Sequence, residues 1–180
     1  LYDYFGNAEK VIIPDSVTKI GEWAFYGCKS LKEIIIPDSV TEIGEGAFGG
    51  CKSLKEITIP ESVTEIGVFA FSGCTSLTNI TIPDSVTKIG EVAFKDCENL
   101  ADENGFVIVK NVLYDYFGNA EKVIIPDSVK AIDNGAFFGC ESLKEITIPD
   151  SVTEIGYNVF LGCESLKEIT IPDSVTEIGD

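Results

Sequence analysis

The side chains of this 180-residue chain that could do chemistry are six cysteines, thirty carboxylates and thirteen lysines, with no histidine and no arginine. Without an imidazole, acid–base and nucleophilic schemes lose their most common participant, and no glycine-rich phosphate loop takes its place. The cysteines suggest disulfides or a metal until their spacing is considered. Cys28, Cys51, Cys74, Cys97, Cys140 and Cys163 occupy one position of a recurring segment, so their side chains should point the same way in a single column. A disulfide needs Cβ atoms about 3.8 Å apart and turned toward each other, which in-register parallel coils do not supply. Zinc would need a C-x-x-C pair or a histidine. Free, buried thiols are therefore expected.

The carboxylates also fall into columns. Asp15, Asp38, Glu61, Asp84, Asp127, Asp150 and Asp173 each follow a proline. Two readings stay open: calcium held between coils, or Asp and Ser bonding to nearby turn amides, the simpler of the two. A glycosidase would break the pattern with one special carboxylate pair, whereas these recur in every coil. The sequence thus predicts no catalytic residue, no cofactor and no metal site.

What positions these columns is a repeat. Pro14, Pro37, Pro60 and Pro83 lie 23 residues apart, Pro126 follows after 43, and Pro149 and Pro172 resume the 23-residue step. A fixed period in this range points to a stacked array. In Leu54-Lys55-Glu56-Ile57-Thr58-Ile59-Pro60 the alternation of Ile57 and Ile59 is that of a strand, which proline, lacking an amide hydrogen, should end. Ser-Val-Thr-Glu-Ile-Gly can form a second short strand. The following turn, carrying Ala47, Phe48 and Cys51, is expected to be helical or 3₁₀. One unit cannot bury its own apolar residues, but stacked copies can. Phe25, Phe48, Phe71, Phe94, Phe137 and Phe160 should form one ladder, and Ile20, Ile43, Ile66, Ile89, Ile132, Ile155 and Ile178 another.

The irregular step, about residues 98–122, reads as a β-hairpin: Phe106 to Val109, a Lys110-Asn111 turn, then Val112 to Tyr116. Residues 1–17 recur without change at residues 113–129, so the second arm of this unit also opens the chain. The last copy stops at Ile178-Gly179-Asp180, and neither end carries a polar cap, as expected for an excerpt of a longer array.

The consensus L-x-x-I-x-I-P-x-S-V-x-x-I-G-x-x-A-F-x-x-C resembles the BspA-like, or Treponema-type, leucine-rich repeat across nearly the whole chain. The interposed F-V-I-V-K-N-V-L-Y-D-Y also resembles that family's hairpin segments, with Val112 where such hairpins often have Gly. The resemblance implies a right-handed leucine-rich repeat superhelix, mainly β, with parallel strands and one inserted hairpin, read as one domain over residues 1–180. It also implies a secreted or cell-surface protein of adhesive function, without a shared catalytic site.

A net charge of −17 disfavours nucleic acid and anionic membrane surfaces. No run approaches the roughly 20 apolar residues of a membrane span, so insertion is not expected. The expected partner is a protein, a host or matrix protein by the resemblance, bound by a monomer whose uncapped ends leave end-to-end contacts open. Two surfaces could receive it. One is the outward strand column Ile12, Ile35, Thr58, Thr81, Ile124, Thr147 and Thr170, expected to be the concave face and favoured by analogy with other solenoids. The other is the turn region, where Trp23, Tyr26, Phe69, Phe138 and Tyr157 could anchor a partner or pack sideways between turns. An adhesion or protein-interaction module, an architectural spacer and a carbohydrate-binding surface all remain open functions.

Overall fold

The computed structural model describes residues 7–179. The part of the opening hairpin arm at residues 1–6 lies outside them. Two compact units divide the chain, Leu1–Leu100 and Ala101–Asp180.

In the first unit each coil contributes two short strands: β1 (Lys10–Ile12) and β2 (Lys19–Ile20), β3 (Glu33–Ile35) and β4 (Glu42–Ile43), β5 (Glu56–Thr58) and β6 (Glu65–Ile66), β7 (Asn79–Thr81) and β8 (Lys88–Ile89). β2, β4, β6 and β8 form one parallel sheet, and β1–β3 and β5–β7 form two-stranded parallel sheets. The register is one full repeat, Ile20 beside Ile43 beside Ile66 beside Ile89. Proline ends the first strand as expected and has a second use: its carbonyl accepts the amide of the valine three residues on, as in Val40 to Pro37 at 3.1 Å. Ser39 and Ser62 do not bond to local turn amides. Their hydroxyls donate to Val17 and Val40 carbonyls of the previous coil, at 2.7 and 2.5 Å.

The core is the expected set of ladders. Phe25, Phe48, Phe71 and Phe94 are fully buried and stack at 5.4, 5.4 and 5.5 Å between ring centroids, with planes within 12° of parallel. Their turns are not helices. Along residues 23–28 the amides alternate: Trp23, Phe25 and Gly27 donate to Glu45, Ala47 and Gly49 of the next coil, while Ala24, Tyr26 and Cys28 donate to the carbonyl three residues back. Half of the 3₁₀ pattern is present. The other half is redirected along the stack because Trp23 and Gly27 have φ of 56° and 68°, a left-handed geometry no helix tolerates. One 3₁₀ turn, Glu98–Leu100, closes the unit.

The second unit opens with the hairpin, β9 (Phe106–Val109) antiparallel to β10 (Val112–Tyr116). Lys110 and Asn111 have φ of 48° and 66°, the paired positive values of a type I′ turn. β10 then stands in for a coil, pairing parallel with β12 (Ala131–Ile132), which continues to β14 (Glu154–Ile155) and β15 (Glu177–Ile178). Beside them β11 (Lys122–Ile124) pairs with β13 (Glu145–Thr147). The aromatic ladder here runs Phe106, Tyr116, Phe137 and Phe160 at 5.2, 5.0 and 5.7 Å, so Tyr116 fills a phenylalanine position that the 23-residue spacing does not reveal.

Pairing between first strands follows charge order. Glu9-Lys10 meets Lys32-Glu33 with opposite signs, giving ion pairs of 2.6 Å (Lys10–Glu33) and 2.8 Å (Lys32–Glu9), and β1 pairs with β3. Glu121-Lys122 meets Lys144-Glu145 in the same crossed fashion at 2.6 and 2.7 Å, and β11 pairs with β13. Where the repeat sets Lys32-Glu33 in line with Lys55-Glu56, or Lys144-Glu145 in line with Lys167-Glu168, like meets like. Among the described residues, β3 and β5 then lie in different sheets, and residues 167–171 form no strand. Like charges directly opposite each other weaken a cross-strand pair.

Candidate functional site

The outward strand column follows from alternation. In β3 and β5 the middle residue, Ile34 or Ile57, enters the core and the next, Ile35 or Thr58, faces solvent. All seven predicted positions are exposed. Ile12 is 66%, Ile35 44% and Ile124 73% accessible, unusual for large aliphatic side chains. The structure brings Ile12 beside Ile35, Thr58 beside Thr81, and Ile124 beside Thr147. Ile35 and Thr58 are not joined by strand pairing, and Thr170 lies on a segment without strand pairing.

That last departure shapes the surface. Between β13 and residues 167–171 lies a cleft of about 660 Å³, lined by Thr147 and Thr170 with Lys144, Glu145, Lys167 and Glu168 at one end. It lies where equal charges meet. The signal was present in the sequence as an order, Glu-Lys at residues 9–10 and 121–122 but Lys-Glu at 32–33, 55–56, 144–145 and 167–168, which composition does not register.

The turn-region candidates are also exposed: Trp23, Tyr26, Phe69, Phe138 and Tyr157. Both sequence readings of these rings apply. Trp23 and Tyr26 meet edge to face at 5.2 Å, and each ring lies over a glycine of the next coil, Gly46 and Gly49, while a large part of each stays in solvent. A Cβ on Gly46 would overlap the Trp23 ring. In the second unit the loop after β10 replaces a regular turn, leaving a cavity of about 350 Å³ bounded by Phe117, Asn119, Phe138, Cys140 and Glu141.

None of the six cysteines is in a disulfide, and five of them are buried. The Sγ atoms of Cys51, Cys74 and Cys97 donate to the carbonyls of Phe25, Phe48 and Phe71 at 3.1 Å, and Cys163 to Phe137 at 3.2 Å. Burial pushes Cys51 up to about 12, with the neighbouring Cys28 adding to the rise, and burial raises Cys74 further. Such thiols are poor nucleophiles and poor metal ligands. Cys140 departs from the expected burial, because the hairpin gives it no regular turn to pack under, and it is half-buried. Burial, with the Asp133 carboxylate adding to it, also raises the Tyr114 phenol. Among the described residues, no three or more Cys, Asp or Glu converge as a metal site, and no helix is long and apolar enough to cross a membrane.

A BspA-type leucine-rich repeat region model matches residues 1–120 and 107–180. Among curated proteins there is no significant match. Solved structures with the same fold include a leucine-rich repeat protein of T. pallidum, 32% identical with a TM-score of 0.61 over 99% of this chain and 76% of its own. A leucine-rich repeat protein of Eubacterium ventriosum is 28% identical, with a TM-score of 0.63 over 98% of this chain and 60% of its own. A leucine-rich cell surface protein of Faecalibacterium prausnitzii is 39% identical, with a TM-score of 0.59 over 98% of this chain and 45% of its own.

Proposed function

Because the chain belongs to the BspA-type leucine-rich repeat family, we propose that it is a non-enzymatic adhesion module, secreted or held at a cell surface, that takes a protein partner on its outward strand column. Leucine-rich repeat proteins generally mediate protein interactions. The repeats supply a regular, rigid set of side chains at the coil spacing rather than a closed pocket, and recognition by such a surface depends on what each coil displays. The observation that carries the reading is the display of Ile12, Ile35 and Ile124. Each could be threonine, as the equivalent residues 58, 81, 147 and 170 are, yet each is a large aliphatic group left in solvent. Apolar side chains surrounded by a polar rim form the core of a protein interface.

The cell-surface placement is supported by the likeness to the F. prausnitzii protein, which is described as a cell surface protein. The net charge of −17 favours a partner with a cationic surface over an acidic one. Host or matrix proteins are the partners proposed, bound by a monomer.

The test is surface plasmon resonance against immobilised purified matrix proteins, with the wild type beside an Ile12→Glu/Ile35→Glu variant and an Ile124→Glu/Thr147→Glu variant. All these positions are exposed, so the variants should fold. A tenfold or greater loss of affinity in either variant supports the strand column. Binding that is unchanged in both would move the site elsewhere. Retention on a glycan array without binding to any protein would favour a carbohydrate surface instead.

A further inference from the structure

One turn position of every regular coil in the first unit adopts a left-handed backbone: Trp23 at φ 56°, Gly46 at 57°, Phe69 at 56° and Val92 at 51°. The fold requires that geometry, because it turns the amide along the stack to reach the next coil. Trp23 donates to Glu45 at 2.7 Å, Gly46 to Val68 at 2.8 Å and Phe69 to Glu91 at 3.2 Å. Glycine adopts it freely, and asparagine tolerates it, whereas bulky and especially β-branched residues are strained there. The second unit makes the easy choices, Gly135 at φ 62° and Asn158 at 54°. The first unit places tryptophan, phenylalanine and valine in three of its four coils.

The backbone accounts for the dihedral but not for those side chains; Trp23 also covers Gly46 of the next coil, yet part of its ring, like that of Phe69, is left facing solvent. Trp23 and Phe69 are 39% and 42% exposed, and Val92 is half-buried. Residues held in costly conformations collect at functional surfaces. Immediately before the left-handed positions Trp23, Gly46 and Val92 stand Glu22, Glu45 and Glu91, all exposed, while Val68 precedes Phe69. Within the turns Lys95 is the one basic neighbour, and Lys29 and Lys52 come six residues after the left-handed positions of their coils.

We propose that this turn face of the first unit is a second docking surface, independent of the strand column, for a cationic amphipathic helix of a protein partner. The helix sets its apolar side on Trp23, Phe69 and Val92 and its lysines or arginines on Glu22, Glu45 and Glu91. Two arguments select that occupant. Coils about 4.8 Å apart put the three apolar groups about 0, 10 and 14 Å along the stack, close to the roughly 10 and 15 Å of residues i, i+7 and i+10 on a helix. The acidic column demands cations, which excludes a second copy of a chain of net charge −17.

The probe is a fluorescein-labelled 15-residue Leu/Lys peptide with leucine on one helical face, read by fluorescence anisotropy. Its controls are a Leu/Glu peptide of the same pattern and a Ser/Lys peptide of the same charge. The Leu/Lys peptide should bind at least tenfold more tightly than either control. The Phe69→Gly/Val92→Gly variant should lose at least tenfold while melting no lower than the wild type, since glycine relieves the strained dihedrals. A Glu22→Gln/Glu45→Gln/Glu91→Gln variant, which leaves the apolar groups in place, should lose affinity and most of its salt dependence. The proposal is overturned by equal binding of the Ser/Lys peptide, by full binding in the glycine variant, or by a clearly lower melting temperature in that variant, which would make these side chains servants of the fold.

Discussion

Phe48 is the residue at which the account of the first unit's core is most exposed to test. It has no solvent accessibility and lies between two parallel rings, Phe25 and Phe71, each 5.4 Å away. Truncating a buried phenylalanine to alanine costs about 3–5 kcal/mol in a typical core. Loss of stacking on both faces, about 0.5–1.5 kcal/mol per ring pair, puts Phe48→Ala at the top of that range, about 5 kcal/mol. Phe48→Leu keeps most of the volume and loses mainly the ring geometry, so about 2 kcal/mol is expected. The assay is equilibrium unfolding in urea followed by the fluorescence of Trp23. That residue is the single tryptophan of the chain, and its ring lies over Gly46 in the coil that carries Phe48. Losses below about 1 kcal/mol for both variants would refute the shared-burial argument, since an unstacked ring could be removed so cheaply only if neighbouring coils did not depend on each other. Equal losses for alanine and leucine would refute the ring-stacking part alone.

Other measurements probe different columns. Gly67→Ala should cost at least about 2–3 kcal/mol in the same urea assay, because an added Cβ would stand 2.5 Å from the Glu45 amide nitrogen of the previous coil, backbone that cannot step aside. Because Cys51 is held up to about 12 in the fold and sits near 9.0 unfolded, its contribution is complete below pH 9 and is lost as pH rises toward 12. Stability of the reduced protein should fall over that window, and Cys51→Ala should flatten the fall. Iodoacetamide at pH 8 should label Cys140 before Cys51 or Cys74, by mass spectrometry of the native protein, since burial keeps the latter two as thiols. Lys144→Ala should change stability by less than about 1 kcal/mol, as its 2.7 Å pair with Glu121 is solvent-exposed on both sides.

Equivalence was legible in the sequence, and dihedral angle was not. A 23-residue spacing states which residues share an environment, and that was enough to place the phenylalanine, isoleucine and cysteine columns and the exposed strand residues such as Ile12 and Thr58. The hairpin was legible for a different reason: two β-rich runs around Lys110-Asn111 leave few alternatives for the chain. The turn conformation was hidden because Trp23, Phe69 and Val92 are poor indicators of a left-handed backbone. Gly46, Gly135 and Asn158 in the same column carried that information. Tyr116 was hidden by the 43-residue step, which breaks the spacing that would have aligned it with Phe137. Of the candidate surfaces, the sequence located the outward residues but not the cleft beside Thr147, which depends on where neighbouring strands decline to pair.

The swapped order of Glu9-Lys10 and Glu121-Lys122 bears on how a chain of near copies finds its correct partners. When successive coils are almost the same, docking on the wrong neighbour, with one coil skipped, buries almost the same apolar groups, so hydrophobic contact alone discriminates poorly. A reversed polarity does discriminate: the segment after the hairpin attracts any Lys-Glu coil, while two Lys-Glu coils repel at that edge. Each reversed segment therefore favours a Lys-Glu coil as its neighbour at that edge, by the small margin that solvent-exposed ion pairs supply.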